Sequence, residues 1–396
     1  MSPPAQADQD RAVLGAALGL ALAAAVSLGL SRFSYALLLP PMRADLGWSY
    51  FTAGLMNTVN AAGYLAGALL APRALASIDA RRLLLGGGAA AALLLAAHGL
   101  SSHEGVLLAL RGLTGMASAA SFVSGGLLAA RLASASGGSR HSGLVLGLYY
   151  GGTGLGIIAS SWLVPPLVAG AAGHAWQPAW WALGALAALF TFATARGTRS
   201  LHAPPVATAV RARFVWRPMA PALAGYLMFG LGYIGYMTFI VTLLREQGLP
   251  GPLIVAFYTL LGCGVVASSW LWAGLLQRHR GGRPLALLNG LLAVATALPV
   301  FSSHPVAVFA SGLLFGSVFL SLVASTTALV RHNLPAAVWP AGIAAFTIVF
   351  AAGQIVGPSL VGLIADGPGG LVRGLAISAV MLGLGAGLAS LQKPLN

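Results

Sequence analysis

Gly29-Leu30-Ser31-Arg32-Phe33-Ser34-Tyr35 and, 201 residues further on, Gly230-Leu231-Gly232-Tyr233-Ile234-Gly235-Tyr236 read as two copies of one pattern in a chain of 396 residues. At the same offset Gly152 and Gly156 fall on Gly353 and Gly357, Gly115 falls on Gly316, and the basic turn Arg81-Arg82 falls on Gly282-Arg283. Small residues abound in any membrane helix, so one match of this kind carries little. A single ungapped offset that holds across about 130 residues reads as a duplication.

The composition says what was duplicated. Hydrophobic residues make up 58% of the chain and charged ones 7%, against roughly a quarter charged in a soluble domain. A bilayer core about 30 Å thick needs about 20 apolar residues per helix. Apolar runs, punctuated by charge, Gly and Pro, predict helices 1 to 6 near residues 12–39, 50–71, 83–100, 105–130, 143–168 and 177–195. Helices 7 to 12 follow near 219–244, 253–275, 284–301, 306–330, 340–364 and 371–391. The first run is too long for the core of a cleavable signal and is read as a retained helix. Between the sets lies a basic segment carrying Arg196, Arg199, Pro204, Pro205, Arg211, Arg213 and Arg217. The expected fold is therefore an all-α polytopic membrane protein, with twelve transmembrane helices in two pseudo-symmetric six-helix halves. Its divisions are an amino-terminal half at 1–195, a basic linker at 196–217 and a carboxy-terminal half at 218–396. Parallel repeats of this kind build one class of transporter, with the solute held near the membrane midplane between them.

The net charge of +14 does not point to nucleic acid, because the basic residues stand singly or in small groups between long apolar runs. They instead test the topology. Arg11, Arg73, Arg81, Arg82, Arg131, Arg140, the five linker arginines, Arg278, Arg280, Arg283, Arg331 and Lys393 fall on one side, sixteen in all. Only Arg43, Arg245 and Arg373 fall on the other, with Arg32 and Arg111 inside helices. The positive-inside bias then places both termini and the linker in the cytoplasm. Twenty arginines to one lysine fits a G+C-rich bacterial genome, hence a bacterial inner membrane. The lone cysteine, Cys263, excludes an intrachain disulfide and is expected to pack inside its apolar run. His, Cys and carboxylates show no metal-ligand spacing, and no Gly-x-x-x-x-Gly-Lys phosphate loop occurs, so neither metal, cofactor nor direct nucleotide drive is expected.

Three stretches of the first half, Ser31 to Pro40, Arg43-Ala44-Asp45-Leu46-Gly47 and Ala61 to Gly67, resemble the major facilitator superfamily and, within it, the bacterial YbfB/YjiJ-type group. Gly232 to Phe239 and Gly353-Gln354-Ile355-Val356-Gly357-Pro358 resemble that group's second half. The resemblance implies alternating access, with helices 1, 4, 7 and 10 lining the solute cavity. The superfamily's loop motif is only partly kept. Arg81 and Arg82 match its basic pair, but Ser77 stands at the acid's place, with Asp79 two residues on. In the second half Gly274, Leu276, Gly281 and Arg283 fit while Arg278 replaces the acid. Arg111 and Gly115 form an Arg-x-x-x-Gly pattern like the helix 4 motif of proton-coupled exporters.

Charge inside a membrane helix costs about 2.5 to 3.5 kcal/mol on insertion scales and usually marks a pathway. Arg32 and Arg111 are placed about 10 Å inside the outer boundary, counting about 1.5 Å per residue from the expected helix ends. Asn57, Asn60 and Tyr64 share one face of helix 2 by spacing, as Tyr226 and Tyr233 do on helix 7, with Tyr236 nearby. Thr347 and Gln354 repeat the seven-residue spacing on helix 11, and Tyr35 follows Arg32 in the helix 1 segment. The expected solute site is Arg32, Tyr35, Asn57, Asn60, Tyr64, Arg111, Tyr233, Tyr236 and Gln354. Such stripes also arise from plain interhelical hydrogen bonding, and the helix 5 glycines Gly147, Gly151, Gly152, Gly154 and Gly156 suit close packing. All seven acids, Asp8, Asp10, Asp45, Asp79, Glu104, Glu246 and Asp366, fall in loops or at helix edges, and His98 is the histidine nearest the midplane.

These features predict a secondary active transporter, functional as a monomer in the lipid bilayer, that moves a small organic solute and draws on a coupling ion or counter-solute. Two arginines in one half, set against aromatic and small neutral residues in the other, favour an organic anion. A proton-driven exporter of hydrophobic drugs is the alternative. An intramembrane enzyme would need a nucleophile and base deep in the helices, and a non-transporting sensor or scaffold would show no counterflow.

Overall fold

Apolar length, not local capping, determines where this chain is helical. In a computed structural model, which describes residues 3–135, 139–170, 173–202 and 214–395, each expected run forms a helix and no strand occurs among the described residues. Pro204, Pro205, Ala207, Arg211 and Arg213 of the linker lie outside the described residues, as do the side chains of Asp8, Asp10 and Arg140. Helices 2 to 6 span Tyr50–Leu75, Ala80–His98, Glu104–Ala135, Ser139–Leu167 and Gln177–Gly197. Helices 7 to 12 span Ala220–Glu246, Gly251–Leu271 with a short extension Ala273–Arg278, Arg283–Phe301, Pro305–Asn333, Trp339–Ala365 and Gly370–Ser390. Among the described residues eleven helices are long and apolar enough to cross a membrane, and helix 2, interrupted by Asn57 and Asn60, completes the twelve. The protein is a multi-pass membrane protein.

Helix 1 departs most from its expected form. It is α-helical over Pro3–Ala24, π-helical over Ala25–Phe33 and α-helical again over Tyr35–Leu46. The Pro40-Pro41 pair, read as its end, sits inside the last segment. A membrane helix tolerates the lost hydrogen bonds because neighbouring helices supply alternatives. Arg32 is therefore fourteen residues from the end of helix 1 rather than seven, or about 20 Å at 1.5 Å per residue. Arg111 is seven residues into helix 4, or about 10 Å from the start of that helix at 1.5 Å per residue.

By mutual contacts the chain divides into unit 1, Met1–Tyr35 with Gly63–Thr208, and unit 2, Ala36–Ala62 with Ala209–Asn396. This departs from the sequence halves at one place, where the end of helix 1 and the start of helix 2 join unit 2. In unit 1 helices 1 and 5 touch backbone to backbone at the duplicated glycines. A Cβ on Gly29 would sit 2.5 Å from the Gly156 Cα, and one on Gly152 would run into the Ala21 carbonyl. In unit 2 their repeat partners make the same contact between helices 7 and 11. Gly230 faces Phe350 and Gly353, and Gly357 faces Leu231. Helices 2 and 4 meet likewise at Gly63 and Gly112, and helices 8 and 10 at Gly264, Leu313 and Ser317. The glycines are shared at one offset because each admits a neighbouring backbone that any side chain would exclude. Cys263, expected in the interior, is exposed on helix 8.

Candidate functional site

The π-helical stretch of helix 1 organises the charged residues of unit 1. Its longer hydrogen-bond step, seen where the Ser34 N–H reaches the Gly29 carbonyl at 3.0 Å, offsets the usual carbonyl ladder and leaves groups to be served from outside. Helix 4 serves them. Arg111 Nη1 donates to the Ser31 carbonyl at 3.0 Å, and the Ser118 hydroxyl donates to the Ser27 carbonyl. Donors seven residues apart on helix 4 thus meet acceptors four apart on helix 1. Single π-turns inside α-helices are rare and concentrate at functional sites; this one is nine residues long.

Around it the aromatic rings take up the charge. The Arg111 guanidinium lies 4.8 Å from the Tyr35 ring centroid, and Arg32 lies 5.8 Å from that of Tyr64. Arg111 is 1% exposed and Arg32 4%. At the end of helix 3, His98 is buried, stacked on Trp180 at 4.3 Å, with Nδ1 2.7 Å from the Leu94 carbonyl. The structure thus brings together Arg32, Tyr35, Tyr64 and Arg111 of the expected site. Sequence reading missed the π-helical stretch, Ser27, Ser118 and Trp180. The only signal was serine at 27 and 31 on helix 1 with serine at 118, which is indistinguishable from ordinary polar decoration.

Unit 2 holds the rest. Asn57 donates to Thr238 Oγ1 at 2.8 Å, and Asn60 and Gln354 are buried. Thr347, expected on the Gln354 face, is exposed and bonds its own turn at Ile343. The Tyr236 hydroxyl is 2.7 Å from that of Ser311, and its ring stacks on Phe315 at 4.0 Å. Tyr233 belongs to a larger array. Its ring lies at 12° to 25° to those of Phe229, Phe319 and Phe350, with centroids 4.7 to 6.0 Å away. Tyr226 continues the array beside Phe229 and Phe350. Helices 7, 10 and 11 thereby present near-parallel rings, of which the sequence reading found only the tyrosines. The phenylalanines were invisible because an apolar ring in an apolar helix looks like filling.

Comparison with known proteins names the family. The family described as uncharacterised MFS-type transporter YbfB matches residues 24–390. The chain belongs to this family. No curated protein matches it in sequence. Among solved structures, the nucleoside transporter NupG superposes with a TM-score of 0.71 at 13% identity, over 95% of this chain and 97% of that one. A bacterial homologue of the human lysosomal transporter Spinster, solved inward-facing and unoccupied, superposes with a TM-score of 0.69 at 12% identity, over 98% and 97%. At these identities the likeness is one of fold, the major facilitator fold. A small-molecule solute and membrane lipid are the partners that membership of a transporter family brings.

In this YbfB-type chain the carboxylates work at helix ends. Asp79 caps helix 3 by accepting from the Arg81 and Arg82 N–H groups at 2.9 and 3.3 Å, so the displaced acid of the loop motif acts through the basic pair's backbone. Arg81 itself donates to the Ala195 carbonyl at 2.7 Å. Asp45 and Glu104 are exposed. Glu246 and Asp366 meet Tyr50 at the start of helix 2. Among the described residues no three of His, Cys, Asp and Glu gather as a metal site.

Proposed function

We propose that this protein is a secondary active transporter of a bacterial inner membrane that moves a small organic anion by alternating access, with both termini cytoplasmic. The observation that supports this most is the buried Arg32 and Arg111 pair beside the rings of Tyr64 and Tyr35. Burying charge in a membrane costs about 2.5 to 3.5 kcal/mol per residue, and an anionic solute that binds there meets both guanidiniums. Guanidinium is the side chain best shaped to take a carboxylate in two parallel hydrogen bonds. Within unit 2, the near-parallel rings of helices 7, 10 and 11 offer a surface suited to a planar or apolar group. Asn57, Asn60 and Gln354 are the polar groups proposed to orient it. Energy comes from an ion gradient or an exchanging solute.

The ring array alone also suits a hydrophobic drug, so the two readings divide on charge. The test is thermal stability of the purified protein against aromatic carboxylates and against lipophilic cations, since a ligand that binds only the folded state raises stability by mass action. Stabilisation by carboxylates that falls from wild type to the Arg→Lys and then the Arg→Gln forms at Arg32 and Arg111 supports the anion reading. Stabilisation by cations alone overturns it in favour of the exporter.

A further inference from the structure

The segment 36–62 is the one place where sequence half and structural unit disagree. Both of its ends fall at irregularities. On helix 1 the boundary follows the π-helical stretch and Ser34, and on helix 2 it lies at Gly63, whose missing side chain lets the Gly112 backbone in. Between those ends the segment is fastened along its length to helices 7 and 11. Asp366, just past helix 11, takes the first N–H groups of helix 2 with both oxygens, Tyr50 at 2.7 Å and Phe51 at 2.9 Å. The Tyr50 hydroxyl donates to Glu246 at the end of helix 7, and the Arg43 guanidinium covers the Tyr50 ring at 3.7 Å. One turn further in, Gly54 lies against the Pro358 carbonyl. Thr58 then donates to the Ile355 carbonyl at 2.6 Å and lies 2.8 Å from the Ser359 hydroxyl.

The repeat shows that this fastening is one-sided. At the 201-residue offset Tyr50 falls on Gly251 and Asp366 on Pro165, so the other half has neither the ring nor the carboxylate to build it. An acid that receives two N–H groups at a helix start is a strong cap, because it meets both the unsatisfied donors and the positive end of the helix dipole. Here the cap comes from a residue 316 positions away in sequence, so it ties two parts of the molecule together rather than finishing a helix locally.

We propose that residues 36–62 are a hinged gate at the arginine-poor end of the protein, latched by Asp366 and Glu246 through Tyr50 and swinging about the end of the π-helical stretch and Gly63. The gate rests on transport as the activity, and on the orientation proposed above only for calling that end the outer one. Arg32 lies in the last turn of the π-helical stretch, one residue before its end, so opening the gate and presenting the arginine are movements of the same turn of helix 1.

Thr242 reports on the gate without belonging to the latch. It is buried, its hydroxyl makes no hydrogen bond, and it stands one turn beyond Thr238, the partner of Asn57. In the Cys263→Ser background, Thr242→Cys is treated in intact cells with a membrane-impermeant maleimide. Adding Asp366→Ala is expected to raise the labelling rate about tenfold, as loss of a cap shifts an opening equilibrium, with Asp366→Asn, which keeps one acceptor oxygen, in between. Adding Thr58→Cys with Ser359→Cys and oxidising that pair to a disulfide is expected to suppress labelling, and reduction to restore it. Equal labelling rates with and without Asp366, or rapid labelling while the disulfide is intact, overturn the gate. Acceleration seen only in inverted vesicles keeps the gate and overturns the orientation, so the two failures are distinguishable.

Discussion

Replacing Arg111 separates its structural part from its part in binding. The guanidinium is 1% exposed, donates to the Ser31 carbonyl at 3.0 Å and lies 4.8 Å from the Tyr35 ring. A hydrogen bond from a charged donor contributes about 1.5 to 3 kcal/mol, and a desolvated cation–π contact about 2 kcal/mol. Against these stands about 2.5 to 3.5 kcal/mol for placing the charge in the membrane. Glutamine at this position keeps an N–H for Ser31, worth about 1 kcal/mol, and removes the charge, so Arg111→Gln is expected to change folding stability by no more than about 1 kcal/mol. Arg111→Leu also removes the charge but strands the Ser31 carbonyl, at a further cost of about 1 to 3 kcal/mol. The Leu form should therefore be less stable than the Gln form by about 2 kcal/mol, while both lose stabilisation by aromatic carboxylates. Denaturant titration of the purified protein, with and without the carboxylate, measures both quantities. Equal stability of the Gln and Leu forms would refute the role given to the Ser31 tie. A Gln form that still responds fully to carboxylate would remove Arg111 from the solute site.

Three other expectations follow from the packing. Gly156→Val, placed against Ala25 and Gly29, should destabilise by about 1 to 3 kcal/mol through overpacking, whereas Gly143→Val, with open space around it, should change unfolding midpoints little. Phe350→Ala breaks the ring array at its centre and should weaken binding of aromatic carboxylates by about tenfold, at roughly 1 kcal/mol per aromatic contact, while leaving acetate-sized anions unaffected in the same thermal-shift assay. Val215→Cys in the Cys263→Ser background, exposed just before helix 7, should resist impermeant thiol reagents in intact cells and react in inverted vesicles. Labelling from outside would reverse the topology.

Most of the fold was legible because a membrane helix announces itself by length and apolarity, and because duplicated glycines mark backbone contacts that only glycine permits. Gly152, Gly156, Gly353 and Gly357 were aligned from sequence and occupy equivalent contacts in their two units. Helix 1 was misjudged, since Pro40 and Pro41 signal a stop in water and not in a bundle that can absorb the lost hydrogen bonds. The candidate site was half legible. Arg32 and Arg111 stand out because charge is costly in lipid, but the sequence carries no sign of the π-helical stretch that joins them. Phe229, Phe319 and Phe350 were hidden by the same apolarity that identified their helices. Asp366 and Glu246 read as loop acids because nothing local links them to Tyr50, which lies 316 and 196 residues away.

The central claim, that this protein carries organic anions, is tested most directly by counterflow. Proteoliposomes holding the purified protein are preloaded with unlabelled benzoate or phenylacetate, diluted into a trace of the labelled compound and sampled over time. Transient accumulation of label above its equilibrium level is expected for wild type and should be absent for the Arg32→Gln form. Counterflow with neutral or cationic solutes, and none with any aromatic carboxylate, would contradict the account.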